Sequence, residues 1–266
     1  MQDGCVIVTG GTFGLGREIT LCLARKGWQV LAFGLEAKQI SSIAENAIPA
    51  LTKEVQAEGL DVTLLDADVT DQSDVDRVVA TALQAYGRIH AVVNNAAIGP
   101  LGTVLDTDPD IWDRIMAVNL RGPFLMARAV VPLMREQGGG AIVNIGSGAG
   151  WGKPDMAAYA TSKGGLFAMS TALALDHFHD GVRVNTVVPG GGGIVGGMSV
   201  GRVGGDVANL SPNAPGSVVG RVINGFDLGN AVNYLISPEG ETVSGSVIDV
   251  GCFAHQGSSS PLKKPV

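Results

Sequence analysis

Gly4-Cys5-Val6-Ile7-Val8-Thr9-Gly10-Gly11-Thr12-Phe13-Gly14-Leu15-Gly16 decides the fold. The apolar run from Cys5 to Val8, bounded by Gly4, reads as a buried strand. A turn with spaced glycines follows. Apolar residues at 19, 21, 23 and 24 then give a helix over 17–26, closed by Gly27. Residues 29–33 form a second apolar run. Strand, glycine turn, helix and strand make the opening unit of a dinucleotide-binding fold. Glycines let the turn close tightly and let the backbone approach a ligand. The helix N-terminus beyond them presents free N–H groups to a pyrophosphate. Glycine-rich turns are common, and the placement between first strand and first helix is what gives this one weight.

The alternation continues along the chain. Strands are predicted over 62–66, 89–93, 141–145, 182–187 and 246–250. Helices are predicted over 37–58 with a break at Pro49, over 73–86, over 109–137 with an interruption near Gly122-Pro123, over 157–177 and over 228–236. Continuous apolar strands alternating with helices specify an α/β protein, a Rossmann-type doubly wound parallel sheet with helices on both faces. Neither an internal repeat nor a linker interrupts the pattern, so the expected organisation is a single domain over residues 1–254. Within it, the glycine-rich stretch 190–222 is long and loop-like, the mark of a binding loop. Residues 255–266 are polar and rich in Pro, Ser and Lys, and are expected to form a flexible tail.

Composition narrows the function. Hydrophobic residues make up 45% of the 266 and charged residues 16%, enough apolar side chains for a large core. A net charge of −7 without a basic cluster argues against nucleic acid as partner. Cys5, Cys22 and Cys252 are odd in number and lack a C-x-x-C pair, which disfavours disulfides and a zinc site. His177 and His179 are two apart and diverge on a helix, so no metal is expected. With no signal segment and no membrane-length apolar run, the expected location is cytoplasmic.

Tyr159 and Lys163 carry the chemistry. Four residues apart on a helix, their side chains stack on one face. A phenol titrates near about 10 and exchanges protons poorly at neutral pH. A neighbouring ammonium favours the phenolate and brings that proton within reach. Taken alone, a Tyr-x-x-x-Lys pair is more often a half-buried tyrosine beside a solvated lysine.

Taken in order with the other motifs, the pair resembles the short-chain dehydrogenases/reductases, over roughly residues 4 to 253. Thr9 to Gly16 looks like the family's TGxxxGxG, and Asp68-Val69 like its adenine-contacting acid. Asn94-Asn95-Ala96-Ala97 looks like NNAG with alanine for the last glycine. Arg183-Val184-Asn185 with Pro189-Gly190 looks like RVNxxxPG. Asn119, Ser147, Tyr159 and Lys163 match the catalytic tetrad. The resemblance implies an NAD(P)-dependent oxidoreductase passing a hydride between a nicotinamide and a ketone or secondary alcohol. Tyr159 would be the general acid/base. Lys163 would lower its pKa and hold the ribose, Ser147 would orient the substrate oxygen, and Asn119 would hold a relay water. It also implies cofactor contacts from Gly10, Thr12, Phe13, Gly14, Leu15 and Gly16. Further contacts would come from Gly34, Leu35, Asp68, Val69, Asn95, Ala96, Ala97 and Ile145, from Tyr159 and Lys163 themselves, and from Pro189, Gly190 and Gly192.

Three departures bear on detail. Gly34 and Leu35 stand where NAD enzymes of the family place an Asp and NADP enzymes an Arg or Lys, and Glu36 comes late. Without a cation for a 2′-phosphate, NAD is expected over NADP; Arg17 and Lys38 are the cations that could reverse this. Gly191-Gly192-Gly193-Ile194 replaces the family's threonine after Pro189-Gly190, and Val250-Gly251-Cys252-Phe253 replaces Val-Asp-Gly-Gly. The substrate pocket is expected to be floored by Ser147, Trp151 and Tyr159 and roofed by 194–222. Trp151, Met156 and Met198 would make an apolar wall suited to an uncharged or weakly polar ketone or alcohol.

Two other classes of protein compete with this reading. A cofactor-binding regulator without turnover needs no tetrad, and Tyr159 with Lys163 argues against it. A serine hydrolase could use Ser199 in Gly197-Met198-Ser199-Val200-Gly201, but no strand precedes that serine. A homotetramer is expected from the resemblance. Independently, the helix over 157–175 is apolar almost all round and needs cover on more than its sheet side.

Overall fold

A computed structural model describes residues 4–35, 47–189, 198 and 223–250. In chain order the elements are β1 (Cys5–Thr9), α1 (Gly14–Arg25), β2 (Gln29–Gly34), α2 (Ala47–Glu58), β3 (Val62–Asp66), α3 (Gln72–Tyr86) and β4 (Ile89–Asn94). There follow α4 (Pro109–Met116), a π-helical segment (Ala117–Arg121), α5 (Gly122–Glu136), β5 (Gly140–Ile145), α6 (Ala157–Asp176), β6 (Val182–Pro189), α7 (Gly225–Ile236) and β7 (Val247–Val250). All strand pairs are parallel, in the order β3-β2-β1-β4-β5-β6-β7.

The strands read as apolar without alternation because both faces are covered. Ile7, Leu31, Val92, Ile142 and Val184 point to the side of α3 and α5, among Val75, Val78, Met126 and Val130. Their strand neighbours Val6, Val8, Val30, Val93 and Val143 point the other way, among Ile19 and Leu23 of α1 and Leu228 and Val232 of α7. This is the doubly wound arrangement expected from the sequence, a single domain.

Local chemistry sets the helix ends. Asp71 accepts from Ser73 N at 2.7 Å and from Asp74 N at 3.2 Å to start α3, and Gly87 ends it at φ 76°. Asp108 caps α4 with Pro109 in its first turn. Asn224 and Asp227 form a capping box for α7.

Pro49 lies inside α2, near the N-terminal end of its described part, and the expected helix before it falls outside the described residues. One expectation needs correction. The interruption expected near Gly122-Pro123 falls one turn earlier, as the π-helical segment over 117–121. Residues 36–46, 190–197, 199–222 and 251–266 lie outside the described residues. With them fall Glu36, Lys38, Gly190, Gly192, Ser199, Cys252, nearly all of the predicted binding loop, and the tail. No helix among the described residues is long and apolar enough to cross a membrane.

Candidate active site

Strand order reverses between β1 and β4, so the loops leaving their carboxyl ends diverge and open a crevice. The glycine turn and Asn94–Ala97 line this crevice. Gly10 and Gly14 adopt φ of +60° and +55°. Gly16 is required by crowding: a Cβ there would lie 2.0 Å from Gly10 O. Asn95 Nδ2 donates to Thr9 O and to Gly10 O, both at 3.1 Å. Thr9 Oγ1 in return accepts from Asn95 N at 3.0 Å and Ala96 N at 2.9 Å. The two loops thus hold each other. Phe13 offers α1 no side-chain cap, so the first amides of α1 remain for an anion, as a pyrophosphate site requires.

Along the crevice, a Cβ on Gly34 would stand 2.8 Å from buried Thr12 Oγ1, so these two expected contacts shape each other. Asp68 Oδ1 accepts from Thr70 N and Thr70 Oγ1 at 2.8 Å, and Val69 is buried against Gly122. Arg17 forms an ion pair with Glu54 of α2.

Tyr159 and Lys163 lie on the buried side of α6, 8% and 2% exposed. Lys163 Nζ is 5.9 Å from the centre of the Tyr159 ring and donates to Ile145 O at 2.7 Å. Burial removes water from this ammonium and lowers its pKa from 10.5 to about 8. Ile145, expected at the cofactor, therefore also anchors the lysine through its carbonyl. Ser147 leaves β5 in extended conformation and its Oγ accepts from Ala149 N at 3.2 Å.

Asn119 is fully buried in the π-helical segment, where the extra residue turns its side chain inward. Its Oδ1 accepts from Ile98 N at 2.9 Å, and its Nδ2 donates to Ile98 O at 2.8 Å and Ser162 Oγ at 3.0 Å. Sequence reading missed Ile98, Ser162 and Gly99. A Cβ on Gly99 would meet the Tyr159 ring and Met198 Sδ, both at 2.8 Å. Met198 Sδ thus lies near the Tyr159 ring, across Gly99. No sequence signal marked Gly99, because its neighbours come from distant parts of the chain.

Other candidates sit differently. Trp151 is 46% exposed and stacks on Phe167 with ring centres 4.4 Å apart. Met156 bridges to Gly102, which ties the segment before α4 to the start of α6. His177 pairs with Asp180 at 2.8 Å, and among the described residues no cluster of three His, Cys, Asp or Glu side chains could hold a metal.

An uncapped helix start, a glycine cradle and a buried lysine beside a tyrosine, at the carboxyl ends of a parallel sheet, define a nicotinamide-dependent oxidoreductase. The sequence model of the short chain dehydrogenase family matches residues 4–194, and the chain belongs to the short-chain dehydrogenase/reductase family. It is 35% identical to 2-(S)-hydroxypropyl-CoM dehydrogenase 3 of Xanthobacter autotrophicus, over 94% of this chain and 96% of that one. It is 33% identical to cyclopentanol dehydrogenase of Comamonas testosteroni, over 96% and 99%. Among solved structures, an actinorhodin polyketide ketoreductase variant with NADPH superposes with a TM-score of 0.82. That protein is 26% identical, with 95% of this chain and 97% of that chain covered. The protein is an oxidoreductase acting between alcohols and ketones with a nicotinamide cofactor. The regulator and hydrolase readings find no support in these relatives.

Proposed function

We propose that Tyr159 is the general acid/base of this reaction, with Lys163, Ser147 and Asn119 in supporting roles, and that the cofactor is NAD. The observation that carries the reading is the buried Lys163 ammonium beside the Tyr159 ring. A bound nicotinamide accepts or supplies the hydride. Tyr159 moves the proton at the substrate oxygen. Ser147 Oγ already accepts from Ala149 N, which leaves its own proton for that oxygen. Among the described residues Lys163 Nζ has Ile145 O as its hydrogen-bond acceptor, leaving donors for ribose hydroxyls. Asn119 carries its relay role through a water and, by clamping Ile98, also sets the backbone at Gly99.

The choice of NAD rests on Gly34 and Leu35, which offer no cation to a 2′-phosphate. Arg17 is turned to Glu54. That partly exposed pair is worth about 0–1 kcal/mol, so it orients Arg17 rather than locking it. The apolar contact of Met198 with Gly99 beside Tyr159 supports an uncharged ketone or secondary alcohol. Cyclopentanol, named in one relative, is a compound of that class. Steady-state kinetics with ketones and alcohols of graded charge, run with each cofactor, test both points. We expect kcat/KM to favour NAD by about tenfold or more and uncharged substrates over polyanionic ones. A clear preference for NADP would overturn the cofactor reading, and its loss in Arg17→Ala would identify the cation responsible.

The assembly we propose is a homotetramer. Leu175 and Phe178 at the end of α6 are exposed, as are Ile111, Trp112 and Phe124 on α4 and α5. A cavity of ≈ 230 Å³ between α4 and α6 is lined by Val104, Pro109, Trp112 and Ala158 among others. Exposed charges of both signs, Asp110, Asp113, Arg114, Arg128, Arg135 and Glu136, surround these apolar side chains on α4 and α5. Sedimentation at micromolar concentration should show a species of four chains; a stable monomer would refute it. A cytoplasmic setting agrees with Cys5 and Cys22, which are buried free thiols, Cys5 pushed up to about 12 by desolvation.

A further inference from the structure

Four buried polar side chains lie beneath the tyrosine-lysine pair and have no part in the roles above: Asn94 of β4, Asn144 of β5, Thr186 of β6 and Ser170 of α6. They form one connected set. Asn94 Nδ2 donates to Asn144 Oδ1 at 2.8 Å, and Asn144 Nδ2 donates to Ser170 Oγ at 2.8 Å. Thr186 Oγ1 donates to Ser170 Oγ at 3.1 Å, and Ser170 Oγ donates to Leu166 O at 2.6 Å. The serine hydroxyl therefore gives one hydrogen bond and accepts two, which fills its capacity. Such groups inside a Val- and Ile-rich sheet bring no apolar burial, and each costs about 1–3 kcal/mol if left unsatisfied.

Their placement gives them a use. Helix α6 is apolar almost all round, and it meets its neighbours through small residues: Gly164 lies against Gly150 and Gly165 against Leu120. Apolar burial is non-directional and resists sliding along the helix axis only weakly. A hydrogen bond is directional. Sliding α6 by one residue, about 1.5 Å, would stretch and tilt the bond between Ser170 and Asn144 and weaken it. Lys163 is two turns from Ser170 on the same helix, and its Nζ bonds Ile145 O, the carbonyl next to Asn144. Helix and strand are thus tied at two places, both ending on adjacent residues of β5. A buried polar contact that fixes register where apolar packing leaves it open is an attested device.

We propose that Asn144 and Ser170 are positioning residues: they set the axial placement of α6 on the sheet, and so the reach of Tyr159 and Lys163 to the reacting atoms. This rests on the reading of Tyr159 and Lys163 as the proton-transfer pair. A misplacement near 1 Å costs up to about 100-fold in rate. Ser170→Ala should therefore lower kcat by about 10–100-fold and move the midpoint of the kcat–pH profile, with the Kd for cofactor within about twofold of wild type. Ser170→Thr keeps the hydroxyl and should recover kcat to within about threefold. Thr186→Val, which removes one donor to Ser170 and keeps the side-chain shape, should lower kcat by about 2–10-fold with the same movement of the profile. A folded Ser170→Ala enzyme with wild-type kcat and an unmoved pH profile would overturn the proposal, even if its Tm fell, because that is the signature of a purely structural bond. If Ser170→Ala does not fold, Thr186→Val decides on the same two readouts. Tyr159→Phe is run beside them: normal turnover there would remove the proton-transfer reading itself, and loss of turnover leaves the Ser170 result to stand or fall alone.

Discussion

Tyr159→Phe should lower kcat by about 10³-fold or more and leave the Kd for nicotinamide cofactor within a small factor of wild type. The ring is buried, with Gly99 on one side and Met198 beside it, and phenylalanine fills the same space. What disappears is the hydroxyl, the proposed proton carrier. Ser147 cannot replace it, because an alcohol has no accessible conjugate base near neutral pH. Lys163 cannot reach past the ring, since its ammonium is turned to Ile145 O. The glycine turn proposed to hold the cofactor, with Gly10, Gly14, Gly16 and Asn95, loses no partner. Turnover on the best substrate of the panel, with cofactor binding measured separately, checks both halves. A Phe variant with near-normal kcat would end the assignment of Tyr159 as acid/base.

Much of this site could be read from the chain because its parts are local. The glycine turn follows β1 directly, and Tyr159 and Lys163 are one helical turn apart. The five inner strands were legible for a related reason: a parallel strand buried on both faces is a continuous apolar run, whereas the half-buried edge strands β3 and β7 carry polar residues within theirs. What escaped the sequence is non-local. The clamp of Asn119 on Ile98 depends on a π-helical segment, and inserting one residue into a turn changes which side chain faces inward without altering local composition. Gly99 was invisible because its neighbours, Tyr159 and Met198, are far from it in sequence. The stacking of Trp151 on Phe167, on the helix that follows, is likewise not visible in the sequence.

Lys163→Met should abolish turnover and at the same time stabilise the cofactor-free protein at neutral pH. The ammonium is buried, and burial lowers its pKa from 10.5 to about 8. At about 1.36 kcal/mol per pH unit, that difference is a penalty of roughly 3 kcal/mol on the charged folded form. Methionine has similar length and no charge. Its cost is the bond from the charged donor to Ile145 O, about 1.5–3 kcal/mol net. The balance favours the variant by up to roughly 1.5 kcal/mol, or a Tm higher by up to roughly 6 °C for a domain of this size. The pH dependence supplies the sign. Folded Lys163 loses its proton near 8, whereas the unfolded chain keeps it to 10.5. Between those values the unfolded state binds more protons, so wild-type stability rises with pH relative to the variant. The advantage of methionine is therefore full below pH 8 and shrinks towards pH 10. Thermal melts of both proteins at pH 7 and pH 10, without cofactor, test this. A Met variant less stable at pH 7, or a difference that does not change with pH, would show that the lysine is not held as a desolvated cation. A positive result would mean that the chain keeps a destabilising charge in its core for the sake of the proton transfer beside it.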